Sequence, residues 1–165
     1  MKQYIQPFID VCKSVFHDFV KMDPEAKVPF FLERGAQEDW DISGVIGFTG
    51  EARGAVVISM KQHIAIKITT SITGTVHKTV DDDVVDAVGE LINIIAGNVK
   101  QGLEEAYRLV ISLPTIIRGK DHSLVWPDGK ARVIVIPFTI NNVDSFSLSI
   151  ALEAVKGDSK YKGLF

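Results

Sequence analysis

Four residues whose side chains could act together lie near the middle of the chain: Asp86, Glu90, Asn93 and Gly97. Successive residues of an α-helix are rotated by about 100°, so with Asp86 at zero the other three fall at about 40°, −20° and 20°. All four therefore share one narrow face of a helix. A carboxylate and a carboxamide one turn apart can reach into a partner together, and a glycine beside them lets that partner come close.

The apolar residues of the same stretch fall on the opposite side of this helix: Val88, Leu91, Ile92, Ile95 and Val99. This pattern predicts a long helix, from Asp82 to roughly Glu105, that packs its apolar face on a sheet and turns the polar face outward. Three acids, Asp81 to Asp83, precede or open it, where the helix dipole favours negative charge. The pattern alone leaves open the alternative of a solvated helix face with no function.

Length and composition indicate one globular domain over residues 1–165. The chain has 46% hydrophobic and 24% charged residues and a net charge of −3, which gives no reason to expect a nucleic acid or an anionic membrane as partner. No apolar run approaches the roughly eighteen residues of a membrane span, and residues 1–20 do not resemble a signal peptide. Cys12, the single cysteine, is interpreted as a small core residue, and a cytoplasmic location is expected.

The periodicity of apolar residues predicts an alternation of helices and strands that occurs twice. Helices are expected over residues 4–21, from Lys61 to about Thr73 and from Asp82 onward. Strands are expected at Val28–Glu33, Ile42–Thr49, Ala55–Met60, Arg108–Ile117 (interrupted by Pro114), Ala131–Ile140 and Phe146–Ala154, with a loop over Gly50–Gly54 and a loosely held tail over Lys156–Phe165. The predicted fold class is α+β, with internally duplicated helix-plus-three-strand units and long helices packed on an antiparallel sheet.

The sequence gives little indication of a metal site, a serine nucleophile or a phosphate-binding loop. The four histidines, His17, His63, His77 and His122, show no ligand spacing with cysteine or acid, and helix initiation explains Asp81 to Asp83 better than a cation site does. There is no Gly-x-Ser-x-Gly elbow and no Walker loop, and the glycines at positions 44 to 54 lie in a predicted hairpin. No metal site is expected in this chain.

The central helix resembles a known signature. The pattern Asp86-x-x-x-Glu90-x-x-Asn93, continued by Ile94-Ile95-Ala96-Gly97-Asn98 and by Pro114, is similar to that of the CheC/CheX/FliY phosphatases. Twenty residues separate Asn93 from Pro114, slightly fewer than in the family pattern. The repeated layout also resembles the CheC-like fold. Only the second half carries the Glu/Asn pair, since the matching register in the first helix reads Pro7-Phe8-Ile9-Asp10, and a single copy is more similar to CheX than to CheC.

The resemblance implies hydrolysis of the aspartyl phosphate of a CheY-type response regulator. Glu90 and Asn93 would then be catalytic, Asp86 and Gly97 would contact the regulator, and the only metal required would be Mg²⁺ held by the regulator. It also implies a homodimer, an expectation that the alternating apolar strands Val133–Ile140 and Phe146–Ile150 support if one lies at a sheet edge. The alternative is a non-catalytic adaptor of the same fold in a chemotaxis or flagellar switch assembly.

Overall fold

A computed structural model describes residues 2–33, 35, 36, 38–104, 106–126 and 132–155. Three helices, α1 to α3, span Lys2–Val15, Gln62–Thr73 and Asp82–Leu103, and a π-helical turn at Phe16–Val20 continues α1. Eight strands, β1 to β8, span Glu25–Ala26, Phe30–Phe31, Trp40–Gly50, Ala52–Met60, Leu109–Ile111, Thr115–His122, Ile134–Ile140 and Asp144–Ala154. None of the helices in the described part of the chain is long and apolar enough to cross a membrane.

All the strands belong to one antiparallel sheet with an internal two-fold arrangement. The order is β1-β7-β8-β4-β3-β5, with β2 also paired to β7 and β6 also paired to β3. Each half contributes a helix, two short strands and a long hairpin, either β3–β4 or β7–β8. The hairpins meet where β4 pairs with β8, and the short strands of each half pair with the hairpin of the other. The predicted α+β fold with two similar halves is confirmed, although each half has four strands and not the predicted three.

The strand boundaries correct several expectations. The strand predicted at Val28–Glu33 is only Phe30–Phe31, with Glu25–Ala26 ahead of it. The five-residue loop predicted at Gly50–Gly54 is a single residue, Glu51, because Gly50 and Gly54 adopt φ of +117° and +155° and Gly54 stays paired with Phe48. Strand β6 continues to His122, five residues beyond the predicted end of this strand at Ile117. The predicted tail over residues 156–165 lies outside the described residues.

The core lies between one face of the sheet and the helices. Inward residues of the four long strands pack with the buried faces of α1, α2 and α3 in one continuous cluster. Phe146 of β8 stacks on Phe16, after α1, and on Phe138 of β7, with ring centroids 4.6 Å and 5.0 Å apart. Cys12 is fully buried in this cluster, and burial raises the pKa of its thiol far above the usual range. The thiol stays protonated, so its interpretation as a core residue is confirmed.

Candidate functional site

Helix α3 carries the four predicted site residues on its outer side. Its buried residues include all five members of the predicted apolar face. Asp86 and Glu90 are exposed, whereas Asn93 and Gly97 are half-buried. A β-carbon placed on Gly97 would meet no heavy atom within 4 Å, apart from the helix's own neighbouring backbone. The structure therefore brings the four residues onto one outward stripe with open space beside the glycine.

The rotation of α3 about its axis is fixed by close packing on β3. A β-carbon on Gly44 of β3 would stand 3.0 Å from the side chain of Ile92, so the glycine lets the helix approach the sheet closely. Ile92 is therefore the close neighbour that favours a glycine at this position. Since Ile92 is wholly buried and immediately precedes Asn93, its packing holds Asn93 on the opposite, outward side.

The start of α3 is capped by side chains. The Asp81 carboxylate accepts a hydrogen bond from the backbone N–H of Val84 at 3.0 Å and lies 2.9 Å from Nδ1 of the buried His77. The pKa of Asp81 lies below its usual range. The hydrogen bond from His77 is the larger cause, and the hydrogen bond from Val84 is the next. The negative charge is therefore retained at the positive end of the helix, as the run of acids predicts.

His77 also corrects the expectation that the histidines have no acidic neighbours in ligand spacing. Its ring nitrogens and the carboxylates of Asp81 and Asp83 place one ligand atom each within 4.8 Å of one another. Asp81 uses one carboxylate oxygen to cap α3 and the other to pair with His77. His17 and His63 lie on exposed helix surface as expected, although His17 contacts Asp23 at 2.6 Å.

A bulge lies beside the site, in the segment that joins β5 to β6. Ile111 of β5 pairs with Phe48, and Thr115 of β6 pairs with Val45. Between these two pairs, the three residues 112–114 oppose the two residues 46–47 of β3. Ser112 faces Gly47 through two hydrogen bonds of 2.9 Å. Leu113 and Pro114 consequently both oppose Ile46, and the extra residue is a β-bulge.

The bulge brings Pro114 against α3. Its Cγ lies 3.9 Å from the position of a β-carbon on Gly89, the residue that precedes Glu90. The twenty-residue spacing from Asn93 therefore still places Pro114 next to the outward stripe. Leu113, which sequence reasoning did not single out, is 87% exposed at the same place. Leu113 is placed beside the site only by the one-residue change in register between β5 and β6, and the sequence does not reveal how strands pair.

The chemistry available at the stripe is that of a carboxylate and a carboxamide held on a rigid helix. A carboxamide can donate to a water molecule and accept from it, and a carboxylate can pair with a cationic side chain of a partner. The side chains are directed outward, as required for acting on a group that another protein presents.

The model of the family "Chemotaxis phosphatase CheX" matches residues 42–139, more than half of the chain. The chain belongs to the CheX family. Among curated relatives, the CheY-P phosphatase CheX of Thermotoga maritima is 26% identical over 112 residues, which cover 67% of this chain and 70% of the relative. The match to the CheX family includes β3 to β6 and the whole of α3.

Two solved structures of the CheX family are also similar to this chain. The crystal structure of CheX from Desulfovibrio desulfuricans gives a TM-score of 0.83 at 26% identity and covers 92% of this chain and 99% of that one. The CheX–CheY–BeF3–Mg²⁺ complex from Borrelia burgdorferi gives a TM-score of 0.78 at 23% identity, covering 91% and 97%, and shows the shared fold. The CheC-like fold and the chemotaxis phosphatase predicted from the sequence are confirmed.

Proposed function

We propose that this protein hydrolyses the aspartyl phosphate of a CheY-type response regulator with Asn93 and Glu90 as its catalytic residues. The observation that carries the proposal is the outward stripe of α3, in which these two side chains stand one turn apart on a helix whose other face is wholly packed. Such a helix can enter a shallow site on another protein without changing its own structure. The T. maritima relative is a phosphatase of CheY-P, which supports this choice of substrate.

In the proposed mechanism, Asn93 orients the attacking water. Its amide N–H and carbonyl oxygen hold the water in line with the bond between phosphorus and the aspartate oxygen. The water oxygen bonds to phosphorus, that P–O bond breaks, and inorganic phosphate and a free aspartate are released. Little covalent assistance is needed, because phosphoryl transfer depends mainly on positioning and on stabilisation of charge.

Glu90 has a different role in the proposal. Its exposed carboxylate pairs with a lysine beside the regulator's phosphorylated aspartate and so fixes the register of docking. Asp86 and Gly97 contact the regulator at the two ends of the stripe. Mg²⁺ is held by the regulator, where it neutralises charge on the phosphoryl oxygens, and this chain contributes only side chains of α3.

A turnover assay with the protein below the concentration of the regulator tests this proposal. Wild-type protein is expected to release many equivalents of phosphate, whereas Asn93→Ala should lower kcat by about 10²–10³, the usual effect of losing one preorganised polar group. Asn98→Ala is the matched control, since Asn98 is exposed on the same helix but lies about 120° from Asp86. Full turnover by Asn93→Ala would reject the site, and stoichiometric protection of the phosphate by the wild type would favour the adaptor.

The assembly and location of the protein are further parts of the proposal. We propose a homodimer, supported by the edge of the sheet at β6, which pairs with β3 alone among the described residues. The sequence suggested that β7 or β8 would form this edge, but neither is an edge strand. Strand β7 pairs with β1, β2 and β8, and strand β8 pairs with β4 and β7. A cytoplasmic location agrees with the free thiol of Cys12, which a reducing compartment preserves.

A further inference from the structure

We infer that Leu113 is an apolar contact that sets how tightly the phosphorylated regulator docks on α3. The inference rests on the proposed function and adds to it a residue outside the helix. Leu113 is 87% exposed, the greatest exposure of any described large hydrophobic residue except Val125. A solvated leucine of this size has a large affinity to contribute once a partner covers it.

The bulge places Leu113 on the same side of the sheet as α3. Ser112 and Thr115 oppose Gly47 and Val45, which alternate with the core residues of β3 and so lie on the face away from the helices. The two residues between them, Leu113 and Pro114, therefore both lie toward α3. The contact of Pro114 with Gly89 agrees with this arrangement.

Leu113 is also held in a fixed position. Ser112 makes three hydrogen bonds of 2.9 Å. Its backbone N–H donates to the carbonyl of Gly47, and its hydroxyl oxygen accepts from the N–H of Gly47. The Ser112 hydroxyl also donates to the carbonyl of Leu113. On the other side, Pro114 fixes its own φ and packs on the helix. The backbone at Leu113 is therefore already ordered before a partner contacts the leucine, which favours binding.

The occupant follows from continuity with the proposed site. Leu113 adjoins Pro114, Pro114 lies beside Gly89 of α3, and Gly89 precedes Glu90. A regulator that brings its phosphoaspartate to Asn93 and a lysine to Glu90 must also cover the surface next to the outward stripe of α3. An apolar patch of the regulator meeting Leu113 would complete a docking surface in which charge gives the register and apolar contact gives affinity.

Steady-state kinetics on a phosphorylated CheY-type regulator separates this role from catalysis. Leu113→Ala is expected to raise KM by about 10-fold with kcat unchanged, because the contact is made equally in the ground state and the transition state. Leu113→Met, which keeps the apolar volume, should retain most of the affinity. The matched control is Val143→Ala, which removes an 83% exposed valine from the β7–β8 turn and should leave both parameters unchanged.

Direct binding to the same regulator loaded with BeF3⁻ and Mg²⁺ gives a readout that does not need turnover. Leu113→Ala should weaken this binding by the same factor as KM, while Asn93→Ala should bind nearly as well as the wild type. If Asn93→Ala loses turnover but Leu113→Ala changes neither KM nor binding, the inference is wrong and the proposed function stands. If the wild type neither binds nor turns over any regulator, both fail together. A changed oligomeric state in Leu113→Ala would assign the residue to self-association and also reject the inference.

Discussion

The two central residues of the stripe differ in their surroundings. Asn93 is half-buried, on the helix turn that Ile92 anchors to the sheet, whereas Glu90 is exposed. A partly enclosed carboxamide is suited to holding one water molecule in a fixed position. An exposed carboxylate acts through longer-range attraction, which salt screens over about 10 Å at 0.1 M. The difference in burial therefore agrees with orientation of water by Asn93 and docking by Glu90.

The division of roles predicts the behaviour of Glu90→Gln. This substitution should raise KM by about 10-fold, equal to about 1.4 kcal/mol, while kcat changes little. Because the lost interaction is electrostatic, KM of the variant should also depend less on ionic strength than KM of the wild type. Asp86→Ala, one turn toward the start of the helix, should have a smaller effect on both. A kcat for Glu90→Gln as low as that of Asn93→Ala would contradict a role confined to docking.

Gly97→Ala should separate stability from activity. Alanine in place of a helical glycine stabilises a helix by up to about 1 kcal/mol, and no neighbour opposes the added methyl group. The same methyl group would stand where the regulator approaches, so we expect a higher melting temperature together with a higher KM. Gly102→Ala is the control, because Gly102 lies in the same helix, has equally open space and falls on another face. An unchanged KM in Gly97→Ala would show that the partner stays away from this glycine.

The sequence predicted the stripe well because a helix repeats every 3.6 residues whatever surrounds it. Asp86, Glu90, Asn93 and Gly97 could therefore be placed together before any tertiary contact was known. Leu113 could not be placed in this way. Its position depends on how the β5–β6 segment pairs with β3, a contact between residues more than sixty positions apart. Likewise, the contact of His77 with Asp81 depends on how the chain folds between α2 and α3.

At the level of elements, the contact between α3 and β3 decides where the site points. The two elements meet at Gly44, whose added β-carbon would stand 3.0 Å from Ile92 and also 3.4 Å from Ile58 and Ile116. All three neighbours belong to the packed interior or its margin. A side chain at this position can be accommodated only if the helix or the strand moves.

Gly44→Ala is therefore expected to destabilise the protein by about 1–3 kcal/mol, the usual cost of an overpacked core. For a chain of this length each 1 kcal/mol corresponds to about 2–4 °C in melting temperature. Thermal unfolding followed by circular dichroism measures the loss. Gly47→Ala, two residues along the same strand, should be tolerated much better, since its nearest neighbour would be the Ser112 hydroxyl oxygen at 3.6 Å. Equal losses in the two variants would show that the approach of α3 at Gly44 is not responsible.

Element boundaries show where local sequence information is insufficient. Helix α2 ends at the predicted Thr73, where Gly74 has a φ of +71°, and α3 begins at the predicted Asp82, where Asp81 caps it, because capping acts locally. Helix α3 ends at Leu103, and Glu105, where the prediction placed the end, lies outside the described residues. The strands were less accurate. Val28–Glu33 contracts to two residues because only a short run finds a partner on β7.

At the level of the whole molecule, only one of the two halves carries the proposed Glu/Asn site. The two halves exchange their short strands across the sheet, yet the Glu/Asn pair occurs only on α3. The first helix has Pro7, Phe8, Ile9 and Asp10 in the corresponding register, and Phe8 is buried there. One chain therefore presents one site, and two sites in an assembly require two chains.

The proposed homodimer is tested by mass in solution. Multi-angle light scattering at micromolar concentration should give twice the chain mass of 18.2 kDa. Because the open edge of β6 is the proposed contact, Gly119→Pro should shift the mass toward the monomer, as proline cannot donate a backbone hydrogen bond across an edge. A monomeric mass for the wild type at all micromolar concentrations would exclude the dimer.

The exchange of strands between halves has a consequence for biosynthesis. Strand β4, at the middle of the sheet, pairs along its whole length with β8, which spans residues 144–154 and is made after the other seven described strands. Until then the first hairpin has one full edge without its native partner, and β1 and β2 must wait for β7. Such long-range pairing slows folding and exposes apolar strands to other nascent chains. The centre of the sheet is therefore complete only after β8 has been made, so deletion of β8 would remove the middle of the sheet rather than its margin.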